Sequence, residues 1–333
     1  MKKNKNRYYL FAGIGGTIAI LLVSFLFWVF MPVFFKGKPV RFDIQKDDTI
    51  FDVTDRLNQN DDHINGLLFS IFMTMTGHYT DFKPGIYDIR AGESPYRLLQ
   101  KISNGIYALE SVTIIEGWTF HQMRHTIDSH PALKHDTAEL SDKALLQKLG
   151  LNYTDGEGLF YPDTYQFRQG ASDIRIYELA QKTLMKKLNT LWENRSANLP
   201  YRSVYDALIM ASIIEKETGH ASDRNMIASV FINRLKLGMK LQTDPSVIYG
   251  MGTRYTGKIH KADLLKDTPY NTYTRKGLPP TPIALPSQAA LEAAFHPTNT
   301  DALYFVAKGD GSSQFSNNLE DHNKAVERYI LKK

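Results

Sequence analysis

Two glutamates, Glu215 and Glu217, follow an almost wholly apolar run at residues 208–214 that is typical of a helix buried on all sides. On a helix, Glu217 lies over the isoleucine pair one turn earlier, while Glu215 points about 160° away from it. Apolar surroundings raise the pKa of a carboxyl group and keep it protonated near neutral pH, which a general acid requires. The alternative is that both side chains reach solvent at a frayed helix end, and position alone does not decide between the two.

The composition limits which other chemistry is open to this chain. Its 333 residues include no cysteine, which excludes a cysteine nucleophile, thiolate-bound zinc, iron–sulfur clusters and a disulfide scaffold. His121 and His125 have the spacing of a zinc pair, but no third ligand is evident, and no phosphate-binding loop or cofactor motif is present. We therefore expect a reaction that uses oxygen and nitrogen side chains, with no metal and no cofactor.

The positive charge is concentrated at the N-terminus. The formal net charge is +5, and Lys2, Lys3, Lys5 and Arg7 supply four of these charges. The remaining 36 basic residues nearly balance the 35 acidic ones. A protein that binds nucleic acid would carry a basic surplus on its folded part, so we expect no nucleic-acid partner.

Residues 8–35 contain no charged residue and predict a transmembrane helix. About 20 apolar residues, at ~1.5 Å of rise each, cross the hydrocarbon core of a bilayer. A cleaved signal peptide is the alternative, but the apolar stretch is long and ends in bulky residues. Four basic residues precede it, against Lys36, Lys38 and Arg41 just after it. The sequence thus favours a cytoplasmic tail at residues 1–7, an uncleaved anchor and a long outer part.

Residues 36–107 predict a small module in which a strand–turn–helix unit occurs twice. The second helix has Ser94 as its N-cap and Pro95 at its first position. The pattern is loosely similar to LysM-type carbohydrate-binding modules. A module that contacts glycan and a spacer that sets the height above the membrane are both open possibilities.

Residues 108–333 predict a larger domain of mixed helices and strands, so the fold class is α+β with an N-terminal transmembrane helix. The clearest predicted elements are a helix capped by Thr119 and Gln122, a long helix at 174–194, a strand at 239–243, a rigid Pro-rich run at 277–286 and a helix capped by Ser287.

Five ordered segments resemble the endolytic murein transglycosylase, or YceG-like, family. They are Ala211-Ser-Ile-Ile-Glu-Lys-Glu-Thr218, Ala228-Ser-Val-Phe-Ile-Asn-Arg-Leu235, Leu241-Gln-Thr-Asp-Pro-Ser-Val-Ile-Tyr-Gly-Met-Gly252, Tyr270-Asn-Thr-Tyr273 and Gly277-Leu-Pro-Pro-Thr-Pro-Ile283. The resemblance spans nearly the whole chain. It implies that residues 108–333 are the catalytic domain of a single-pass inner-membrane enzyme, facing the periplasm, that cuts nascent peptidoglycan strands internally.

The resemblance also implies a catalytic residue and a mechanism. The catalytic glutamate of the family falls on the second acid of the Glu-Lys-Glu-Thr stretch, which is Glu217. In the lytic reaction one carboxyl group protonates the glycosidic oxygen between N-acetylmuramic acid and N-acetylglucosamine. As a carboxylate it then takes the proton of the muramic C6 hydroxyl, which closes a 1,6-anhydro ring.

Two other functions stay open at this stage. Hydrolases usually place a second carboxylate within ~5–10 Å of the first, and Asp244 is the available one, so a muramidase-type hydrolase is an alternative. At a helix N-terminus Asp244 would be a capping residue held ionised, or a sugar ligand or electrostatic stabiliser. A non-catalytic glycan-binding scaffold of the wall-synthesis machinery is the second alternative.

Six further residues are candidates for binding the glycan, because sugar grooves combine polar side chains with aromatic faces. They are Gln242, Asn271, Tyr273, Tyr165, Glu157 and Asp163. Each is equally suited to a loop in which its hydrogen bonds are internal, and Glu157 and Asp163 could form a salt bridge or a turn. The expected partners are peptidoglycan strands, the inner membrane and cell-wall synthesis complexes.

Overall fold

The computed structural model describes residues 2–60, 63–78, 82–217 and 222–331, without the side chains of residues 2–10 and 60. The chain divides into two compact units, Met1–Glu110 and Ser111–Lys333. This division lies three residues after the one expected between residues 107 and 108.

The first element is helix α1 (Lys2–Phe30). Its segment Phe11–Phe30 has 20 residues and a mean hydropathy of 2.2, so it is long and apolar enough to cross a membrane. The helix ends five residues earlier than the predicted anchor. Pro32 explains this end, because proline has no backbone N–H and disfavours helical geometry in the residue before it.

In the described part of the first unit, α1 is followed by two strands and three helices, which are β1 (Val40–Ile44), α2 (Ile50–Asn60), α3 (Gly66–Met75), β2 (Gly85–Ile89) and α4 (Pro95–Asn104). The strands pair antiparallel, with Phe42 opposite Tyr87. Both of these side chains are buried in the core of the unit together with Leu57 and Phe69. Ser94 caps α4 as predicted, since its side chain accepts a hydrogen bond from the Arg97 N–H.

The remaining α-helices and strands of the described residues run from residue 109 to residue 326. They are β3 (Leu109–Thr113), α5 (Phe120–Asp128), β4 (Leu133–Lys134), α6 (Asp142–Lys148), β5 (Thr164–Arg168), β6 (Ala171–Ser172), α7 (Ile174–Glu193), α8 (Val204–Glu217), α9 (Arg224–Lys236), α10 (Asp244–Met251), α11 (Lys261–Leu265), α12 (Gln288–Phe295), β7 (Tyr304–Ala307), β8 (Ser313–Ser316) and α13 (Leu319–Val326). The strands pair as β3–β5, β4–β6 and β7–β8. The fold is therefore mixed α+β, as predicted.

Helix α8 forms the centre of the second unit. Residues 207–214 are all buried, and helices α7, α9, α10 and α12 pack around them. Its buried polar residue Ser212 is fully hydrogen-bonded, since its Oγ donates to the Ile209 carbonyl (2.7 Å) and accepts from the Ile283 N–H (3.0 Å). The second of these bonds fixes the Pro-rich run to α8.

Two predicted caps are confirmed, and one predicted strand is absent. Thr119 and Gln122 form a capping box at α5, and Ser287 caps α12. Residues 239–243 form no strand, because Gln242 takes a left-handed backbone conformation with φ of 55°.

The loop at residues 156–161 is buried rather than open to a ligand. Gly158 has φ of 74°, and a Cβ at this position would lie 2.4 Å from the Pro282 Cβ, so only glycine fits. Glu157 is 3% exposed, and its carboxyl accepts hydrogen bonds from the Phe120 N–H (3.0 Å) and the Tyr249 hydroxyl (3.2 Å). Burial, reinforced by the charge of Asp155, raises the pKa of Glu157 to about 8.

We predict that Glu157 makes the stability of this unit depend on pH. Its pKa is raised in the folded chain, so its contribution is complete below pH ~4.5 and is lost as the pH rises towards 8. In thermal unfolding of the full chain in detergent, Glu157→Gln should match the parent at pH 5. At pH 8.5 it should exceed the parent Tm by about 5 °C or more.

The exposed substitution Glu139→Gln is the matched control and should leave the pH dependence unchanged. Parallel Tm curves for the parent and Glu157→Gln between pH 5 and 8.5 would show that Glu157 is not held in its buried, protonated form.

Candidate active site

Glu217 is the last residue of α8 and lies at the edge of the buried core. The side chain is half-buried, and its Oε2 accepts a hydrogen bond of 2.7 Å from the Thr243 hydroxyl. Among the described residues its carboxyl group forms no ion pair with a basic side chain. Thr218, Gly219 and His220, which the sequence places directly after it, lie outside the described residues.

The surroundings of Glu217 favour its protonated form. Burial raises the pKa of the Glu217 carboxyl, and the negative charge of Asp244 raises it further. The hydrogen bond from Thr243 acts in the opposite direction but is weaker than burial. The group therefore holds a proton to higher pH than an exposed glutamate does, as a general acid requires.

Glu215 has a different role. Its Oε2 accepts hydrogen bonds from the Ser287 N–H (3.0 Å) and hydroxyl (2.5 Å), at the start of α12. The neighbouring Lys216 donates to the Gly117 carbonyl (3.1 Å). The two glutamates thus point to different partners, as the helix geometry predicts. The alternative in which both fray into solvent is wrong.

Asp244 and Tyr273 lie beside Glu217. The Tyr273 hydroxyl donates to the Asp244 Oδ1 at 2.5 Å, and burial together with this carboxylate raises the pKa of Tyr273. Asp244 is the first residue of α10, and Thr243 precedes it as the N-cap, one residue before the predicted position. The Thr243 side chain makes no capping bond because it points to Glu217.

A group of buried hydroxyls holds this part of the site together. The Thr243 N–H donates to the Thr272 Oγ1 (3.0 Å), which lies 2.9 Å from the Ser246 Oγ, and Ser246 donates to the Thr243 carbonyl (2.9 Å). All three residues are buried. These bonds fix the start of α10 to the loop that carries Tyr273.

Thr243 and Thr272 were not among the residues predicted to form the site. Both lie inside segments that carry the family resemblance, directly beside Asp244 and Tyr273. Their position in those segments was therefore the signal that could have identified them.

Gln242 is held by the buried Arg234. The Gln242 Oε1 accepts from the Arg234 Nη1 (3.1 Å), and the same nitrogen donates to the carbonyls of Lys240 (3.2 Å) and Leu241 (3.0 Å). The Gln242 N–H donates to the Thr272 carbonyl (3.1 Å). Arg234 thus donates to the backbone carbonyls that would have bonded to a neighbouring strand. Gln242 remains exposed beside the site.

Asn271 is fully buried and organises its own loop. Its Nδ2 donates to the Leu264 and Lys266 carbonyls (3.1 and 2.7 Å), and its Oδ1 accepts from the Tyr273 N–H (2.8 Å). These bonds occupy the side-chain amide, so Asn271 supports the position of Tyr273 and does not present its side chain to a ligand.

The other three candidates lie apart from Glu217 and have no contact with it. Tyr165 is buried in the core, and its hydroxyl donates to the Tyr161 carbonyl (2.6 Å). Asp163 is exposed and accepts from the Thr164 N–H (2.7 Å) at the start of β5. Glu157 reaches the site only indirectly, through Tyr249 on α10. Burial thus argues against direct glycan contact by Tyr165 and Glu157.

A cavity opens beside the cluster of buried hydroxyls formed by Thr243, Ser246 and Thr272. It has a volume of about 280 Å³ and is lined by Pro269, Asn271, Thr272, Arg275, Lys276 and the first residues of the Pro-rich run. This size is at the lower end of ligand pockets. Across the described residues, no three histidine or acidic side chains lie close enough together to hold a metal ion.

Comparisons with known proteins identify the family. Residues 42–328 match the model of the YceG-like family. An endolytic murein transglycosylase from Bacillus subtilis (strain 168) is 33% identical over 88% of this chain and 86% of its own length. An endolytic murein transglycosylase from Streptococcus pneumoniae (strain D39) is 30% identical over 81% of this chain. The match covers 54% of that longer protein.

A solved structure agrees with these relatives. The 2.6 Å crystal structure of a YceG-like protein from Listeria monocytogenes is 31% identical to this chain and superposes with a TM-score of 0.54. The match covers 87% of this chain and 99% of the other. The resemblance noted from the sequence is confirmed, and the chain belongs to the YceG-like family.

Proposed function

We propose that this chain is an endolytic murein transglycosylase, a lyase that cleaves peptidoglycan glycan strands internally with Glu217 as its acid and base. The observation that carries the proposal is a half-buried carboxyl with a raised pKa, bonded to a neutral hydroxyl rather than to a cation. A carboxyl of this kind gives up a proton and takes one back without a second titrating group. The relatives named as endolytic murein transglycosylases support this assignment.

The proposed reaction needs neither water nor a cofactor. Protonated Glu217 gives its proton to the glycosidic oxygen as the bond from that oxygen to the muramic C1 breaks. The Glu217 carboxylate then takes the proton of the muramic C6 hydroxyl, whose oxygen bonds to C1. One product strand ends in 1,6-anhydro-N-acetylmuramic acid, the other begins with a free N-acetylglucosamine hydroxyl, and Glu217 is protonated again.

Asp244 and Tyr273 have supporting roles in this proposal. One oxygen of Asp244 accepts a hydrogen bond from the Tyr273 hydroxyl, and we assign this carboxylate to electrostatic stabilisation rather than to the water activation of a two-carboxylate hydrolase. Its charge lies where it raises the pKa of Glu217 and where positive charge develops on the sugar ring. We assign glycan contact to the exposed Gln242 and to the face of Tyr273.

We also propose where the enzyme lies in the cell. Helix α1 is a single-pass anchor in the inner membrane, with the basic N-terminus in the cytoplasm and the catalytic unit on the periplasmic side. The LysM likeness of residues 36–107 stays a proposal, as a glycan-contacting module or as a spacer. Peptidoglycan strands are the proposed substrate, and cell-wall synthesis complexes the proposed protein partners.

Analysis of reaction products by mass spectrometry tests the reaction type. The parent chain should convert uncrosslinked glycan strands into shorter strands with 1,6-anhydro ends. Reducing ends would indicate a muramidase, and no cleavage would indicate a binding scaffold. Glu217→Gln should lower the rate by about 10²–10⁴-fold, because it removes the transferable proton.

Glu215→Gln is the matched control for this variant, two residues earlier in the same acid–lysine–acid stretch. It weakens the bonds to Ser287 and lowers stability, but the rate should stay within about tenfold of the parent, since Glu215 takes no part in proton transfer. Full activity of Glu217→Gln, or equal loss in both variants, would contradict the assigned role of Glu217.

The pH profile of kcat/KM tests the surroundings of Glu217. Thr243→Val removes a hydrogen bond that stabilises the carboxylate, so the pKa of Glu217 should rise and the alkaline limb should move to higher pH. Asp244→Asn removes a nearby negative charge and should move the same limb to lower pH.

Thr243→Ser keeps the hydroxyl and should retain the parent profile, which makes it the control for loss of packing. Shifts of the same sign in Thr243→Val and Asp244→Asn would mean that the limb reports a group other than Glu217.

A further inference from the structure

Helix α3 is apolar on two opposite faces. Its inner face packs into the core of the first unit. Its outer face carries Leu67, Ile71 and Met75, spaced four residues apart and 69%, 42% and 64% exposed. The helix contains no charged residue. A helix face in contact with water is normally polar, so this apolar stripe calls for a partner of low polarity.

The end of α1 packs into the same core. Val29 is 1% exposed within it, and Phe25 and Trp28 pack against it. Phe25 lies five residues inside the apolar segment Phe11–Phe30, which at ~1.5 Å per residue is about 7 Å from its end. The core of the first unit therefore contacts α1 within the segment that is long and apolar enough to cross a membrane.

The chain that leaves α1 is fixed to the first unit rather than free. The Val33 N–H donates to the Glu93 carbonyl (2.8 Å), and the Gly92 N–H donates back to the Val33 carbonyl (2.7 Å). The Phe35 ring stacks on His63, with centroids 4.8 Å apart, four residues before the apolar stripe begins. These contacts keep the unit next to the end of α1.

Residues at the exit of α1 have the character of a membrane interface. Phe30 and Tyr96 are both exposed and have ring centroids 5.2 Å apart, and Phe34 is exposed as well. Lys36 and Arg97 follow closely in sequence and are also exposed. Aromatic rings at the headgroup level and basic residues just outside it are typical of such an interface.

We propose that the apolar stripe of α3 lies in the interfacial layer of the lipid bilayer, so that α1 and the first unit form one membrane-bound body. The inference rests on the proposed anchoring by α1. Phe25 packs against the core of the first unit about 7 Å inside the apolar segment, which is within the 5–10 Å to which apolar helix faces enter an interface. The unit would then hold the chain against the membrane instead of lifting it away.

The absence of cysteine allows a direct test with the full chain. Leu67→Cys, Ile71→Cys and Met75→Cys each give a single site for an environment-sensitive fluorophore. Asn104→Cys is the control, since it is exposed at the other end of α4 from Tyr96. The labelled chains are reconstituted into vesicles of phosphatidylcholine and phosphatidylglycerol that contain a lipid spin-labelled near its headgroup.

We expect blue-shifted emission and at least twofold stronger quenching by the spin-labelled lipid at positions 67, 71 and 75 than at position 104. Equal, water-like emission at all four positions would overturn the proposal. Blue-shifted emission without quenching by the spin-labelled lipid, growing with the protein-to-lipid ratio, would also overturn the proposal. A second copy of the chain would then cover the stripe.

Two controls separate this proposal from the proposed anchoring and activity. Chains that fail to float with the vesicles would contradict anchoring by α1, whereas chains that float with unquenched labels contradict only the interfacial position of α3. Replacing Leu67, Ile71 and Met75 together by Gln should reduce lipid quenching of a label at Thr74→Cys, an exposed position on the same helix, and leave cleavage of soluble glycan strands unchanged.

Discussion

The enclosure of helix α8 is the constraint on which the catalytic site depends. Four helices surround its apolar residues, so the helix cannot rotate or shift without breaking the core. The carboxyl of its last residue, Glu217, is consequently held at one place on the edge of that core, close enough to apolar side chains to retain a proton. The same carboxyl on a loop would be solvated by water and would ionise at its ordinary pKa.

Some polar groups around α8 stabilise the fold, and others position and tune Glu217 for the proposed reaction. Glu215 fixes the start of α12, and Ser212 fixes the Pro-rich run, so both side chains are engaged inside the protein. Arg234 and the buried hydroxyls arrange the loops that bring Thr243 and Asp244 to Glu217. Glu217 is thus surrounded by groups that adjust its pKa without neutralising it, which suits one residue that acts as acid and then as base.

Much of this arrangement follows from local sequence patterns. The burial of α8 and the caps at Ser94 and Ser287 depend on residues within one or two turns, which periodicity and residue type reveal. The roles of Asn271 and Glu157 could not be predicted in this way. An amide or carboxyl suits an internal hydrogen bond as well as a ligand, and only contacts between distant segments decide which is made. The same holds for Gln242, whose left-handed backbone depends on Arg234.

The protonation of Glu217 can be measured directly by carbon-13 NMR of the chain labelled at its glutamate side-chain carboxyls, with Glu217→Gln used to assign the signal. We expect the Glu217 signal to titrate at a distinctly higher pH than the signals of exposed glutamates, and the midpoint of its titration to fall to lower pH in Asp244→Asn. A Glu217 signal that titrates together with the exposed glutamates would show that the carboxyl is open to water, and the proposed proton transfer would lose its basis.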